Sequence, residues 1–178
     1  MLLRVVFSLF LLFAAAFAET SALAQDNPSG LPLPRFATTR SSPINVRVGP
    51  GTRYDVAWVY VKPGTPVEII QEFDTWRKIR DFDGSEGWVH QNLLSGNRAG
   101  LVAPWRNGEQ LPLFSGKSED GGVRAYLPAG FQVGITECDK AWCAVTATDH
   151  PEGGGQHSYD GYLPQDELWG VYRDEEFD

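Results

Sequence analysis

Cys138 and Cys143, His150 and His157, and the carboxylates Asp81, Asp83 and Glu86 are the residues whose types and spacing could do chemistry. The two cysteines are the only ones in the chain and stand in Cys-Asp-Lys-Ala-Trp-Cys. Four intervening residues suit a short hairpin turn, which sets the flanking positions opposite each other within disulfide reach. An oxidising compartment would close that bond. The alternatives are a redox pair, which more often has two intervening residues, and half of a zinc site, which lacks histidines at finger spacing. His150 and His157 lie beside Asp149, Glu152 and Asp160 and could ligate a divalent cation. Gly153, Gly154 and Gly155 in the same loop work against a geometry formed before metal arrives, so a solvated loop and no metal are expected. Asp81, Asp83 and Glu86 could be read as the acid and base of a glycosidase. They flank Gly84 in what reads as a hairpin turn, where acidic residues are common and exposed, and catalysis is not expected of them. Gly116-Lys117-Ser118 ends like a phosphate-binding loop, but that pattern needs glycine where Leu111 stands. A thiol hydrolase needs a free cysteine with a histidine base, and the disulfide would consume both thiols. The expectation is a non-catalytic protein without a cofactor.

The elements that must hold these residues begin after a leader. Arg4 precedes an apolar run from Val5 to Ala18, the charge and hydrophobic order of a secretory signal. Ala22-Leu23-Ala24 supplies the small residues of a cleavage site before Gln25, with Ala16-Phe17-Ala18 as the second choice. A run of about 14 apolar residues falls short of the roughly 20 that a spanning helix needs, so no stable membrane insertion is expected after cleavage. Net charge is −8, and it disfavours nucleic acid and anionic membranes, whose affinity comes largely from Lys and Arg. Residues 25–35, rich in proline, read as a linker, and residues 174–178 as an acidic, solvated tail.

From Arg35 onward, short runs of Val, Ile, Trp, Tyr and Phe alternate with Gly, Pro, Asp and Asn, an all-β pattern. Four markers recur in order. They are the turns Lys62-Pro63-Gly64 and Pro128-Ala129-Gly130, the strand runs Val67–Phe73 and Phe131–Cys138, the segments opening on Trp76 and Trp142, and the triplets Gly87-Trp88-Val89 and Gly161-Tyr162-Leu163. The spacing is about 65 residues at the first marker and about 74 at the last. The longer second copy carries its extra residues in the Gly-rich stretch Thr148–His157. This divides the chain into units at 36–97 and 98–173, with Trp105, Leu101 and Val102 expected near their junction.

The first unit resembles the bacterial SH3-like (SH3b) family. Asn45-Val46-Arg47-Val48-Gly49-Pro50-Gly51 followed by Tyr54 looks like that family's opening segment, and the Pro-Gly turn, the Trp-x-x-Ile segment and Gly-Trp-Val follow in family order. The second unit has Leu111-Pro112-Leu113-Phe114 where that opening would stand and keeps the later markers. The whole layout looks like exported tandem SH3-like proteins of proteobacteria. The resemblance implies two small SH3-like β-barrels in the periplasm or cell envelope, binding a peptidoglycan peptide or an extended segment of an envelope protein. The competing reading is a structural adaptor that uses barrel edges without a peptide groove.

Grooves of this kind are lined by aromatic rings, which offer contact area at little entropic cost. In the first unit Tyr54, Trp58 and Tyr60 follow the opening segment, and His90 and Asn92 follow the Gly-Trp-Val strand. These five are the groove candidates. Asn45 and Arg47 join them through the family opening, where they either meet ligand or hydrogen-bond the loop internally.

Overall fold

The computed structural model describes residues 27–150 and 154–178, so the expected leader 1–24 and Glu152 lie outside the described residues. The fold is all-β. The first sheet holds β1 (Arg35–Thr39), β2 (Ile44–Arg47), β3 (Val56–Tyr60), β4 (Pro66–Phe73), β5 (Trp76–Arg80), β6 (Glu86–His90) and β7 (Leu94–Ser95), in the order β3-β2-β6-β5-β4-β1-β7. The second holds β8 (Ala99–Val102), β9 (Gln110–Phe114), β10 (Val123–Pro128), β11 (Gln132–Asp139), β12 (Trp142–Asp149), β13 (His157–Pro164) and β14 (Leu168–Trp169), in the order β10-β9-β13-β12-β11-β8-β14. The second order is the first with seven added to every label. A short β15 (Glu176–Phe177) pairs with β11. Each sheet is a half-barrel, because its two outermost strands do not pair with each other.

Alternation explains the cores. Ile44 and Val46 of β2 point inward while Asn45 between them is exposed, and Val67, Ile69, Ile79 and Val89, with Ala37 and Leu94, complete the first cluster. Leu111, Leu113, Val133, Ile135, Val145 and Leu163 occupy the corresponding places in the second. Burying each of these side chains contributes about 1.5–3 kcal/mol. The Gly-aromatic-aliphatic triplets have a steric cause. A Cβ on Gly87 would lie 2.4 Å from Val46 Cγ1, and one on Gly161 would lie 2.6 Å from the carbonyl oxygen of Phe114. Only glycine lets β6 and β13 pass so close to β2 and β9.

The registers assign equivalent positions residue by residue. Glu72 faces Arg77 across the β4–β5 hairpin, and Cys138 faces Cys143 at the same place in β11–β12. The cysteines are joined by the expected disulfide. Where the second sheet closes this hairpin covalently, the first uses an ion pair between two buried side chains, Glu72 and Arg77. The registers also equate Tyr60 with Leu127, since Tyr60 pairs with Ile44 as Leu127 pairs with Leu111.

The junction differs from expectation at Trp105, while Leu101 does line the space between the sheets. Trp105 is 54% exposed, and the aromatic packing between the sheets comes from Phe36 instead. Its ring meets Trp169 edge-on at 5.2 Å and Tyr172 at 4.8 Å. Tyr172 Oη donates to Glu68 (2.9 Å), which also accepts from Arg80 (2.6 Å). Because β1 is covered by its own core on one face and by the second sheet on the other, Phe36, Ala37, Thr38 and Thr39 are all buried. The acidic end is likewise more than a solvated tail: Glu175 pairs with Arg98 at 2.6 Å, and Glu176–Phe177 adds a strand. The proline-rich segment is pinned too, since Ser29 donates to Glu72 through both its backbone N–H (2.9 Å) and its hydroxyl (2.7 Å).

Candidate functional site

β3 is an outermost strand of the first sheet and carries Trp58 and Tyr60 on its inward face, opposite Val46 and Ile44. Both rings pack on the core yet remain partly exposed. Smaller or aliphatic residues, Ala125 and Leu127, stand at the equivalent places of β10. The two rings meet edge-to-face with centroids 6.2 Å apart. Tyr54 is also partly exposed, and Gly49 makes room for it, since a Cβ there would lie 2.6 Å from the ring. Arg53 stacks over the same ring at 5.1 Å. Arg47 Nη1 donates to the Tyr54 carbonyl at 2.7 Å, so this arginine hydrogen-bonds the loop internally.

The remaining candidates make contacts of their own. His90 packs edge-on against Trp76 at 5.6 Å and accepts from the Asn92 N–H at 3.3 Å, which caps the short 3-10 turn Gln91–Leu93. Asn45 is exposed on β2 beside Val59. Among the described residues no side-chain hydrogen bond or ring contact joins His90, Asn92 or Asn45 to Trp58 and Tyr60.

One group that sequence reading set aside as a solvated turn does reach the rim. Tyr60 Oη donates to Asp81 Oδ2 at 3.1 Å. Asp81 and Asp83 both accept from the Ser85 N–H, at 3.2 and 2.9 Å. Burial, and then a hydrogen bond between the two carboxyl groups, pushes the Asp81 pKa up to about 6. The same bond, with those from Ser85, holds Asp83 down to about 2. Burial and the charge of Asp81 raise the Tyr60 phenol. The signal available in sequence was the Asp-x-Asp-Gly turn; the long reach of Tyr60 to it was not.

A raised folded pKa favours the folded state below the unfolded value and loses that advantage as pH rises through the folded one. Asp81 therefore withdraws stability between about pH 4 and pH 6. Asp81→Asn keeps an acceptor for Tyr60 and cannot ionise. Its urea midpoint relative to wild type is expected to improve from pH 4 to pH 7; a difference independent of pH would contradict the raised Asp81 pKa.

The other chemistry-bearing residues have structural places. Lys117 pairs with Glu137 (2.6 Å) and Asp139 (2.9 Å). Asp149 and His157 face each other across the β12–β13 hairpin. No group of three His, Cys, Asp or Glu side chains among the described residues is arranged to hold a metal, and no helix there is long and apolar enough to cross a membrane.

The molecule so described is a pair of half-barrels of SH3-like type with a partly exposed aromatic rim on the first. Residues 40–96 match the model of the bacterial SH3 domain, and the chain carries a domain of that family. No curated protein matches the chain. Among solved structures, NlpC2 from Trichomonas vaginalis shares 13% identity over 81% of this chain and 51% of its own, with a TM-score of 0.32. NlpC1 from the same organism shares 16% over 78% and 46%, with a TM-score of 0.30. The chain spans about half the length of these two proteins.

Proposed function

We propose that the chain is an exported, non-catalytic binding module. Residues 1–24 act as signal peptide and 25–35 as linker. Residues 36–97 and 98–173 form two tandem SH3-like units, and 174–178 are an acidic end. Its target is a peptidoglycan peptide or an extended segment of an envelope protein, met in the periplasm or cell envelope. The observation that supports this best is the rim of the first unit, where Tyr54, Trp58 and Tyr60 are each partly exposed within a bacterial SH3-like domain. Rings held by a core and open on one side give contact area without the entropy cost of ordering a loop.

Isolated peptidoglycan sacculi provide the test. Purified protein is expected to sediment with them saturably, and Tyr54→Ala/Trp58→Ala is expected to lower the bound fraction at least about tenfold while remaining folded. Failure of the wild type to bind would move the search to envelope proteins. Unchanged binding by the variant would favour the adaptor reading, in which barrel edges and not the rim make the contact.

A further inference from the structure

The two sheets leave a crevice of about 1030 Å³ between them. Arg40 and Lys62 line it from the first sheet, while Gln132, Gly134, Thr148 and Asp149 line it from β11 and β12. A second cavity of about 490 Å³ shares Pro128, Phe131 and Asp149 with the first, so the two adjoin, and it adds Tyr126 and Tyr159. Those tyrosines are 62% and 43% exposed. None of Tyr54, Trp58 or Tyr60 lines either cavity.

Charge is unmatched along this groove. Eight of the described Lys and Arg side chains are paired, as in Lys78–Glu86, Lys117–Glu137 and Lys140–Glu176, while Arg47, Arg53, Arg124 and Arg173 are not. Within the crevice Arg40 and Lys62 likewise have no carboxylate within 4.0 Å among the described residues, and Asp149 has no described cation. A chain of net charge −8 thus leaves two cations free on one wall and a carboxylate on the other. Gly134 is exposed and has no side chain, which bares the β11 backbone to a ligand lying across it. Sites of this size between packed units, with a few convergent polar groups, are where ligands bind.

We propose that this crevice is a second binding site, independent of the first-unit rim, for an extended peptide. Asp149 belongs to both cavities, so the chemistry runs from Arg40 and Lys62 through Asp149 to Tyr126 and Tyr159, with Arg124 beside the tyrosines. The matching peptide carries a carboxylate for Arg40 and Lys62, then an amine for Asp149, then an aromatic or apolar side chain for Tyr126 and Tyr159.

Read from its C-terminus, the acetylated tetrapeptide Phe-Lys-Ala-Glu presents these groups in that order, and Phe-Lys-Ala-Gln amide presents them without the carboxylates. By calorimetric titration the wild-type chain is expected to bind the acid at least about tenfold more tightly than the amide. Arg40→Glu/Lys62→Glu, two exposed positions, is expected to abolish that preference with the thermal midpoint unchanged, and Tyr126→Ala to weaken both peptides. Tyr54→Ala/Trp58→Ala should bind the acid as the wild type does, which separates this site from the rim. Equal binding of the two peptides, no saturation at millimolar concentration, or a preference that survives the charge reversal would each overturn the proposal.

Discussion

Glu72→Ala is expected to lower the stability of the first unit by about 3–5 kcal/mol, the range found when one partner of a buried ion pair is removed. Glu72 has no exposed side-chain surface, and its carboxylate is the meeting point of Arg35 at 2.6 Å and Arg77 at 3.2 Å. Ser29 adds two further hydrogen bonds. Removing the carboxylate strands the guanidinium of Arg77, which is itself buried and keeps only neutral acceptors, on Asp74, Trp76 and Gln91. It also frees the segment before β1. The pH dependence gives a second readout. Burial pushes the Glu72 pKa up, but hydrogen bonds from Ser29 and Arg35 outweigh it and leave the group below the ordinary carboxylate value. A depressed folded pKa contributes stability above the unfolded value and loses it as pH falls through the folded one. The gap between wild type and Glu72→Ala, followed by urea unfolding, is therefore expected to narrow on acidification below about pH 4.5. A loss under about 1 kcal/mol at pH 7 would mean that the arginines find solvent instead.

Much of the fold was legible because its signals are local. Ile44-Asn45-Val46 and Phe131 to Cys138 alternate as half-buried strands must, and two cysteines across a tight turn met as their spacing implied. The triplets at Gly87 and Gly161 could be read as markers, although their cause, a neighbouring strand where a Cβ would be, is a contact between distant segments. The hairpin equivalence was hidden for a related reason. Nothing in the residue types Glu72 and Arg77 says that they fill the place of a disulfide; only the shared register does. The candidate site was legible in part. Trp58 and Tyr60 come together because they are two apart on one strand. His90 and Asn92 were grouped with them by order in the chain, whereas the β5–β6 register sets His90 against Trp76. The crevice between the sheets was invisible in sequence, since Lys62 and Asp149 share a cavity only after the two sheets dock.

That docking rests on few residues, and Phe36→Ala should expose how much the units depend on each other. Phe36 is buried, reaches Trp169 and Tyr172 across the junction, and lies beside Glu68 in the β1–β4 ladder. Truncating a buried phenylalanine costs about 3–5 kcal/mol. Here the void would open between two sheets whose own cores, around Ile79 and around Val145, do not include Phe36. The loss is therefore expected to fall on the coupling between units more than on either core. Calorimetry of the wild type should give one cooperative transition, and Phe36→Ala should split it into two, with the disulfide-bearing second sheet melting last. The polar contacts left at the junction, Tyr172 to Glu68 and Gln132 to the Pro63 carbonyl, are too few to restore cooperativity, because each contributes about 1 kcal/mol. A single transition in the variant, shifted as a whole, would show that the sheets form one folding unit held by more than this aromatic contact. Two transitions already present in the wild type would show that the junction never coupled them. Because Lys62 and Asp149 line the crevice from opposite sheets, the same substitution should also weaken Phe-Lys-Ala-Glu without touching a residue that lines it.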